Sequence, residues 1–260
     1  MLNHRLEGHG PPLLLLHGFG ISFNIWSGLI PLLRDHLTLV TVELPGIGCS
    51  PLPPPTDTST ALREAPHWGS ASLYPAVAVD ALDSLRDFLA IPRWNVLGYS
   101  SGTRVAEAYL QSHAERVERA VFLCPALTLP VKAAGLRAGI QLDRRFPQLG
   151  NWILSGVRVR FLISLLGFNL HPNRFVGAWY TEITSQPIEV LKATLRSMPD
   201  GGARPFDLPD VPSLFVWGRE DLITVTPRRP SSRDVIIHAT HAAPQTQARE
   251  VAKVIVPFLR

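Results

Sequence analysis

The stretch Gly98-Tyr99-Ser100-Ser101-Gly102 sets a serine midway between two glycines. A short apolar run, residues 94–97, leads into it, and Val105, Ala108 and Tyr109 recur at helical spacing behind it. A serine on a sharp strand-to-helix turn is the setting of a nucleophile elbow. The turn strains the backbone at Ser100 and lifts its hydroxyl above the sheet edge. Gly98 and Gly102 omit the Cβ atoms that would collide where strand and helix pass closely. The helix behind directs its free N–H groups and positive dipole end at the place where an oxyanion would form. A serine hydroxyl is a poor nucleophile at its own pKa. It needs an imidazole to take its proton and a carboxylate to orient that imidazole. The plain alternative is a glycine-rich turn without chemistry, and the rest of the chain decides between them.

The elements that would hold such a serine are legible in order. Leu13-Leu14-Leu15-Leu16 is a continuous apolar run, as in a parallel strand buried on both faces, and it ends in His17-Gly18-Phe19-Gly20. Residues 26–36 have helical periodicity, residues 37–42 read as a second buried strand, and Glu43-Leu44-Pro45-Gly46-Ile47-Gly48-Cys49-Ser50 closes it. A proline-rich loop over 51–72 is long for a connection without structure of its own. Residues 76–89 are again helical, the serine strand and its helix reach about residue 113, and 120–124 is a further strand. Such alternation favours a parallel sheet wrapped by helices. From 126 to 205 no strand pattern appears, only apolar helical pieces such as 152–166 and 188–198. Strands at 213–217 and 234–237 then frame a loop, and a helix over 245–258 ends the chain. The expected division is a core over 1–125, a helical cap over 126–205 and a second core part over 206–260.

Composition bounds what this arrangement does. Of 260 residues 46% are hydrophobic and 18% charged, enough for a large core and no case for disorder. No apolar run approaches the roughly 18 residues of a membrane span, and Met1-Leu2-Asn3-His4-Arg5 carries no signal core. Cys49 and Cys124 are expected as reduced thiols, with a disulfide the lesser alternative. A cytoplasmic location is expected. The net charge is +4 and the pI about 9.4, yet no dense basic run with interleaved aromatics is present, which argues against nucleic acid.

With these pieces placed, the chain resembles the α/β-hydrolase family over nearly its whole length. His17-Gly18 is similar to the family's oxyanion loop, and Glu43-Leu44-Pro45-Gly46-Ile47-Gly48-Cys49-Ser50 to its Asp-Leu-Pro-Gly-His-Gly-x-Ser turn, with Glu for Asp. Trp217-Gly218-Arg219-Glu220-Asp221 resembles the loop that carries the acid. His241-Ala242-Ala243-Pro244 resembles the loop that carries the base. The order Ser, Asp, His is the one this fold uses. Two departures stand out. Only 20 residues separate Asp221 from His241, so the helix usually found between the last two strands is expected to be missing or reduced to a turn. Thr103 also stands where the family often has a second glycine.

The resemblance implies Ser100 as nucleophile, Asp221 as orienting acid and His241 as base, with the backbone N–H groups of Phe19 and Ser101 as oxyanion donors. Glu220 and Asp143 are the rival acids. His238 is the rival base, and His17 is expected to hold the oxyanion loop in shape. Arg104, in the first turn of the helix, is either a surface residue or a guanidinium ready for a substrate carboxylate. Gly-Tyr-Ser-x-Gly-x-Arg is similar to the menaquinone-pathway synthase branch of the family. Leu44-Pro45-Gly46, His113-Ala114-Glu115-Arg116-Val117 and Ala239-Thr240-His241-Ala242 look more like the branch of pimeloyl-carrier-protein methyl esterases.

The expected activity is therefore hydrolysis of a small-molecule carboxylic ester through an acyl-enzyme, with no metal and no cofactor. The alternatives are a carboxylate-recognising lyase or C–C hydrolase with the same three residues, and a non-catalytic ligand-binding or partner-binding protein of the same fold, since fold alone does not fix function. Residues 126–205 hold ten basic and four acidic residues, a net of +6 that leaves −2 for the rest of the chain. That charge is expected to attract an acidic carrier protein, an anionic substrate or an anionic membrane surface, unless it is only a solvated face.

Overall fold

The computed structural model describes residues 1–51, 73–127, 130–192, 194–195 and 205–260. Apart from Pro51, the proline-rich loop lies outside them. Seven strands form one sheet: β1 (His4–Gly8), β2 (Pro12–Leu16), β3 (Thr38–Val42), β4 (Trp94–Tyr99), β5 (Val117–Leu123), β6 (Ser213–Gly218) and β7 (Asp234–Ile237). Their order is β1-β3-β2-β4-β5-β6-β7. Only β1 runs antiparallel, against β3, with His4 opposite Val42.

The apolar runs make sense in this register. Leu14 pairs with Val96 and Val96 with Ala120, so β2, β4 and β5 lie inside the sheet with helices on both faces. Successive side chains of a strand point to opposite faces. Leu13, Leu15, Leu97, Tyr99 and Leu123 join one core with Trp26 and the last helix, α7 (Ala248–Leu259). Leu14, Leu16, Val96 and Phe122 join the other with α1 (Leu73–Phe88) and α2 (Gly102–His113). Among the described residues four further helices stand between β5 and β6: α3 (Pro130–Arg145), α4 (Pro147–Ile153), α5 (Gly156–Phe168) and α6 (Phe175–Ser185). Residues 188–192 add a helical segment. Among the described residues no single helix is long and apolar enough to cross a membrane. Both thiols are free, Cys49 exposed and Cys124 buried.

Several boundaries differ from the expected ones. The helix expected over 26–36 is a 3₁₀ turn, Phe23–Gly28, followed by one α turn, Ile30–Leu33. Gly28 marks the break because a Cβ there would lie 2.6 Å from the Pro244 carbonyl. The piece expected over 152–166 is cut at Gly156, whose φ is +64°, and α4 and α5 meet at a 62° bend. Strand β1 has no apolar alternation, and only the free edge of β3 recruits it. No helix stands between Gly218 and Asp234, as the short spacing implied.

Candidate active site

Strand β4 sits at the centre of the sheet and delivers Ser100 at its carboxyl end. Ser100 has φ +52°, a left-handed conformation that costs a non-glycine residue free energy and persists only where its surroundings impose it. Those surroundings are visible. The Ser100 N–H donates to the Leu123 carbonyl at 3.0 Å. A Cβ on Gly98 would lie 2.7 Å from the Gly102 carbonyl, and one on Gly102 only 2.4 Å from the Leu16 carbonyl. The turn is thus wedged between its own helix and β2. Thr103 locks it from behind: its hydroxyl donates to the Ser100 carbonyl and accepts from the Ala126 N–H at 3.0 Å.

Opposite Ser100 lies the loop after β2. The ideal Cβ position of Gly18 is 3.1 Å from the Ser100 Cβ. His17 is buried, and its Nε2 accepts from the Leu44 N–H at 2.9 Å. The proton is therefore on Nδ1, which donates to the Gly18 carbonyl at 2.9 Å. Burial lowers its pKa to about 4, against smaller raising effects from Gly18 and Glu43. His17 is thus a neutral brace between this loop and the turn after β3. Glu43 holds that turn in the same manner, accepting from Ser22, Asn3 and the Cys49 N–H. The N–H groups of Phe19 and Ser101 have no acceptor among the described residues.

Asp221 follows β6 and His241 follows β7. One Asp221 oxygen accepts from the N–H groups of Ile223 and Thr224. The other accepts from the Thr224 hydroxyl at 2.8 Å and from His241 Nδ1 at 2.7 Å. Burial alone would raise this carboxyl's pKa. The His241 charge and hydrogen bond, with those from Thr224, outweigh it and hold the pKa at about 2. Asp221 is therefore ionised at neutral pH, Nδ1 carries the imidazole proton, and Nε2 accepts from the Ser100 hydroxyl 2.8 Å away. The arrangement can take a proton from Ser100 and hold the resulting cation beside an anion.

The rivals lie elsewhere. His238 is exposed, 3.9 Å from Glu220. Asp143 pairs with Lys192 at 2.9 Å. Arg104 is buried; it bonds Glu107 at 2.9 Å and the Ala126 carbonyl, and lies over the Phe206 ring. It also lines a small cleft with Gly18 and Ser101.

Three contributors escaped sequence reading. Tyr99 donates its hydroxyl to the His241 carbonyl at 2.7 Å. Thr103, in the sequence only a departure from glycine, ties the Ser100 carbonyl to the Ala126 N–H. Cys124 adjoins Asp221, and burial first, then that carboxylate, pushes its thiol pKa well above the ordinary value. Cys124, Asp221 and His241 are the one group among the described residues whose donor atoms are close enough to share a metal. Two of them are already hydrogen-bonded to each other, and the thiol stays protonated.

Residues 11–228 match the sequence model of the α/β hydrolase fold family. The chain belongs to that family. A pimeloyl-[acyl-carrier protein] methyl ester esterase of Aeromonas hydrophila is 25% identical over 264 residues, which is 97% of this chain and 96% of that protein. The protein of the same name from Methylococcus capsulatus is 29% identical over 175 residues, 59% of this chain and 68% of its own. A hydrolase structure from Oleispira antarctica superposes with a TM-score of 0.75 at 19% identity, over 99% of this chain and 94% of that one. At that identity the structure speaks for the fold alone. The chain is an α/β hydrolase with esterase-type relatives.

Proposed function

We propose that this α/β hydrolase cleaves carboxylic esters through an acyl-enzyme on Ser100, with His241 as base and Asp221 orienting it. The observation that carries the reading is the continuous chain from Asp221 to His241 at 2.7 Å and from His241 to Ser100 at 2.8 Å. Ser100 Oγ bonds to the ester carbonyl carbon while Nε2 takes its proton. The carbonyl oxygen becomes an anion received by the Phe19 and Ser101 N–H groups. Collapse re-forms the carbonyl and expels the alcohol, which takes the proton back from His241. A water molecule then repeats both steps on the acyl-serine and releases the acid. Each oxyanion donor contributes on the order of 10² to 10³ in turnover.

The segment 126–205 acts in this reading as a cap over the site. The end of α5 reaches both loops: the Gly167 carbonyl accepts from the Ala242 N–H at 3.2 Å, and Asn169 donates to the Glu220 carbonyl at 2.8 Å. Arg104 is the candidate to meet a carboxylate on the substrate; its guanidinium is already engaged by Glu107 and the Ala126 carbonyl, which favours ester hydrolysis over a lyase that must clamp an anion. A binding protein of this fold would have no use for all three groups in line.

The test is turnover of p-nitrophenyl esters of increasing acyl length, beside pimeloyl methyl ester, by the native chain and Ser100→Ala. The expected loss is roughly 10⁴-fold to 10⁶-fold. Undiminished hydrolysis by Ser100→Ala, or no hydrolysis of any ester by the native chain, contradicts the reading.

A further inference from the structure

Helix α5 carries apolar side chains on its outer face as well as on its buried one, with Arg158 and Arg160 between them. Val159, Ile163 and Phe168 are buried in the core, yet Val157 and Phe161 on the same helix are 72% and 58% exposed. A helix of that kind is normally enclosed by protein or by lipid. Its neighbours extend the pattern: Phe146, Trp152 and Leu170 are also more than half exposed. Of thirteen large apolar side chains left exposed among the described residues, nine fall within 142–170. Soluble proteins seldom leave so dense an apolar patch uncovered without a use for it.

The charge on this stretch is of one sign. Between Pro130 and Thr181 the only acidic residue is Asp143, which is buried against Lys192. Arg144, Arg145 and Arg160 are exposed and Arg158 half-exposed. The Arg158 guanidinium lies 3.9 Å over the Trp152 ring and donates to the Trp152 carbonyl at 2.7 Å. Aromatic rings and arginines beside aliphatic side chains are the composition of a segment lying in a membrane interface, its apolar atoms in the acyl boundary and its cations among the headgroups. Together α4 and α5 are long and apolar enough to pass for a membrane span, but they are bent by 62° and α5 is anchored to the fold by its buried face. They can lie on a bilayer and not cross it.

We infer that the outer face of residues 142–170 docks in plane on an anionic lipid bilayer. An acidic protein would satisfy the arginines but would set carboxylates against Val157 and Phe161, whereas an anionic bilayer satisfies both sets. The docked face also adjoins a cavity of about 510 Å³ lined by Trp152, Leu154 and Gly156 on one side and Ile183 and Leu191 on the other. Ile183 and Leu191 pack on Gly20, next to Phe19. Docking thus sets the cavity between lipid and the oxyanion loop.

Binding needs no turnover, so it is measured with the Ser100→Ala chain and is independent of the ester chemistry proposed above. The assay is co-sedimentation with phosphatidylcholine vesicles, with and without phosphatidylglycerol, at about 0.15 M salt. The expected result is binding to the anionic vesicles and at least tenfold weaker binding to the neutral ones. Each headgroup-facing arginine contributes roughly fivefold, so replacing Arg144, Arg145 and Arg160 by Gln should cost on the order of 100-fold. Val157→Ser with Phe161→Ser, which touches no charge, should weaken binding by at least tenfold at unchanged net charge and unchanged circular dichroism. No binding to anionic vesicles overturns the inference. So does binding that the serine pair leaves untouched, and so does capture of an acyl-carrier protein through these arginines without any binding to lipid.

Discussion

The hydroxyl of Tyr99 donates to the main-chain carbonyl of His241 at 2.7 Å, although 142 residues separate them. Tyr99 precedes Ser100 in the chain, so one residue of β4 fixes the backbone of the proposed base while the next is the proposed nucleophile. The two rings are also packed, with centroids 5.3 Å apart. Removing the hydroxyl leaves a buried carbonyl without its donor, a cost of about 1–3 kcal/mol. Tyr99→Phe should therefore lower the urea midpoint and reduce kcat by roughly tenfold while KM changes little. Unchanged kcat at reduced stability would mean that the contact serves the fold alone.

Thr103 makes a comparable tie behind the nucleophile. Thr103→Val keeps the shape and removes the bonds to the Ser100 carbonyl and the Ala126 N–H. The expected cost is about 1–3 kcal/mol of stability, with kcat falling because the left-handed Ser100 is then held less firmly. A Thr103→Ser chain keeps the hydroxyl and should recover most of the turnover.

The two histidines of the last loop separate by environment. His241 is buried between Asp221 and Ser100, whereas the His238 side chain is 73% exposed. His241→Ala should lose turnover on the scale of Ser100→Ala, and the two together should be scarcely worse than either, because groups acting as a unit are not additive. His238→Ala should retain activity within a few-fold of the native chain; a dead His238→Ala would reverse the assignment.

His17 links the site to pH. Its pKa falls from 6.5 to about 4 on folding, so between those values the unfolded chain holds a proton that the folded chain does not. Its contribution to stability is fully present above pH 6.5 and is lost as pH falls towards 4. The loss amounts to about 3 kcal/mol. Urea unfolding of the native chain and of His17→Phe at several pH values checks this. The variant should be weaker near neutral pH and should show a flatter decline into acid.

The central strands and the serine turn were legible because their signals are local. A run of four leucines set between Pro12 and Gly18 reads as a short strand buried on both faces, and two glycines around a serine state a steric need that the 2.4 Å approach of the Leu16 carbonyl to a Cβ at Gly102 explains. Strand β1 was illegible because its side chains are mostly outside the core and only its pairing with β3 makes it a strand. The 26–36 helix failed for the opposite reason: its apolar period is real, but Gly28 must pass under Pro244 from the far end of the chain. Tyr99 and Thr103 gain their meaning from partners 142 and 23 residues away. No spacing rule reports those.

The most direct measurement of the central claim is the site of covalent capture. The native chain is incubated with a fluorophosphonate, or with a p-nitrophenyl ester and quenched in acid during the burst, and digested for mass spectrometry. The expected result is a single adduct on the peptide holding Ser100, absent from Ser100→Ala and strongly slowed in His241→Ala. An adduct on another residue, or full ester turnover by Ser100→Ala with no adduct at all, would contradict an acyl-enzyme on Ser100.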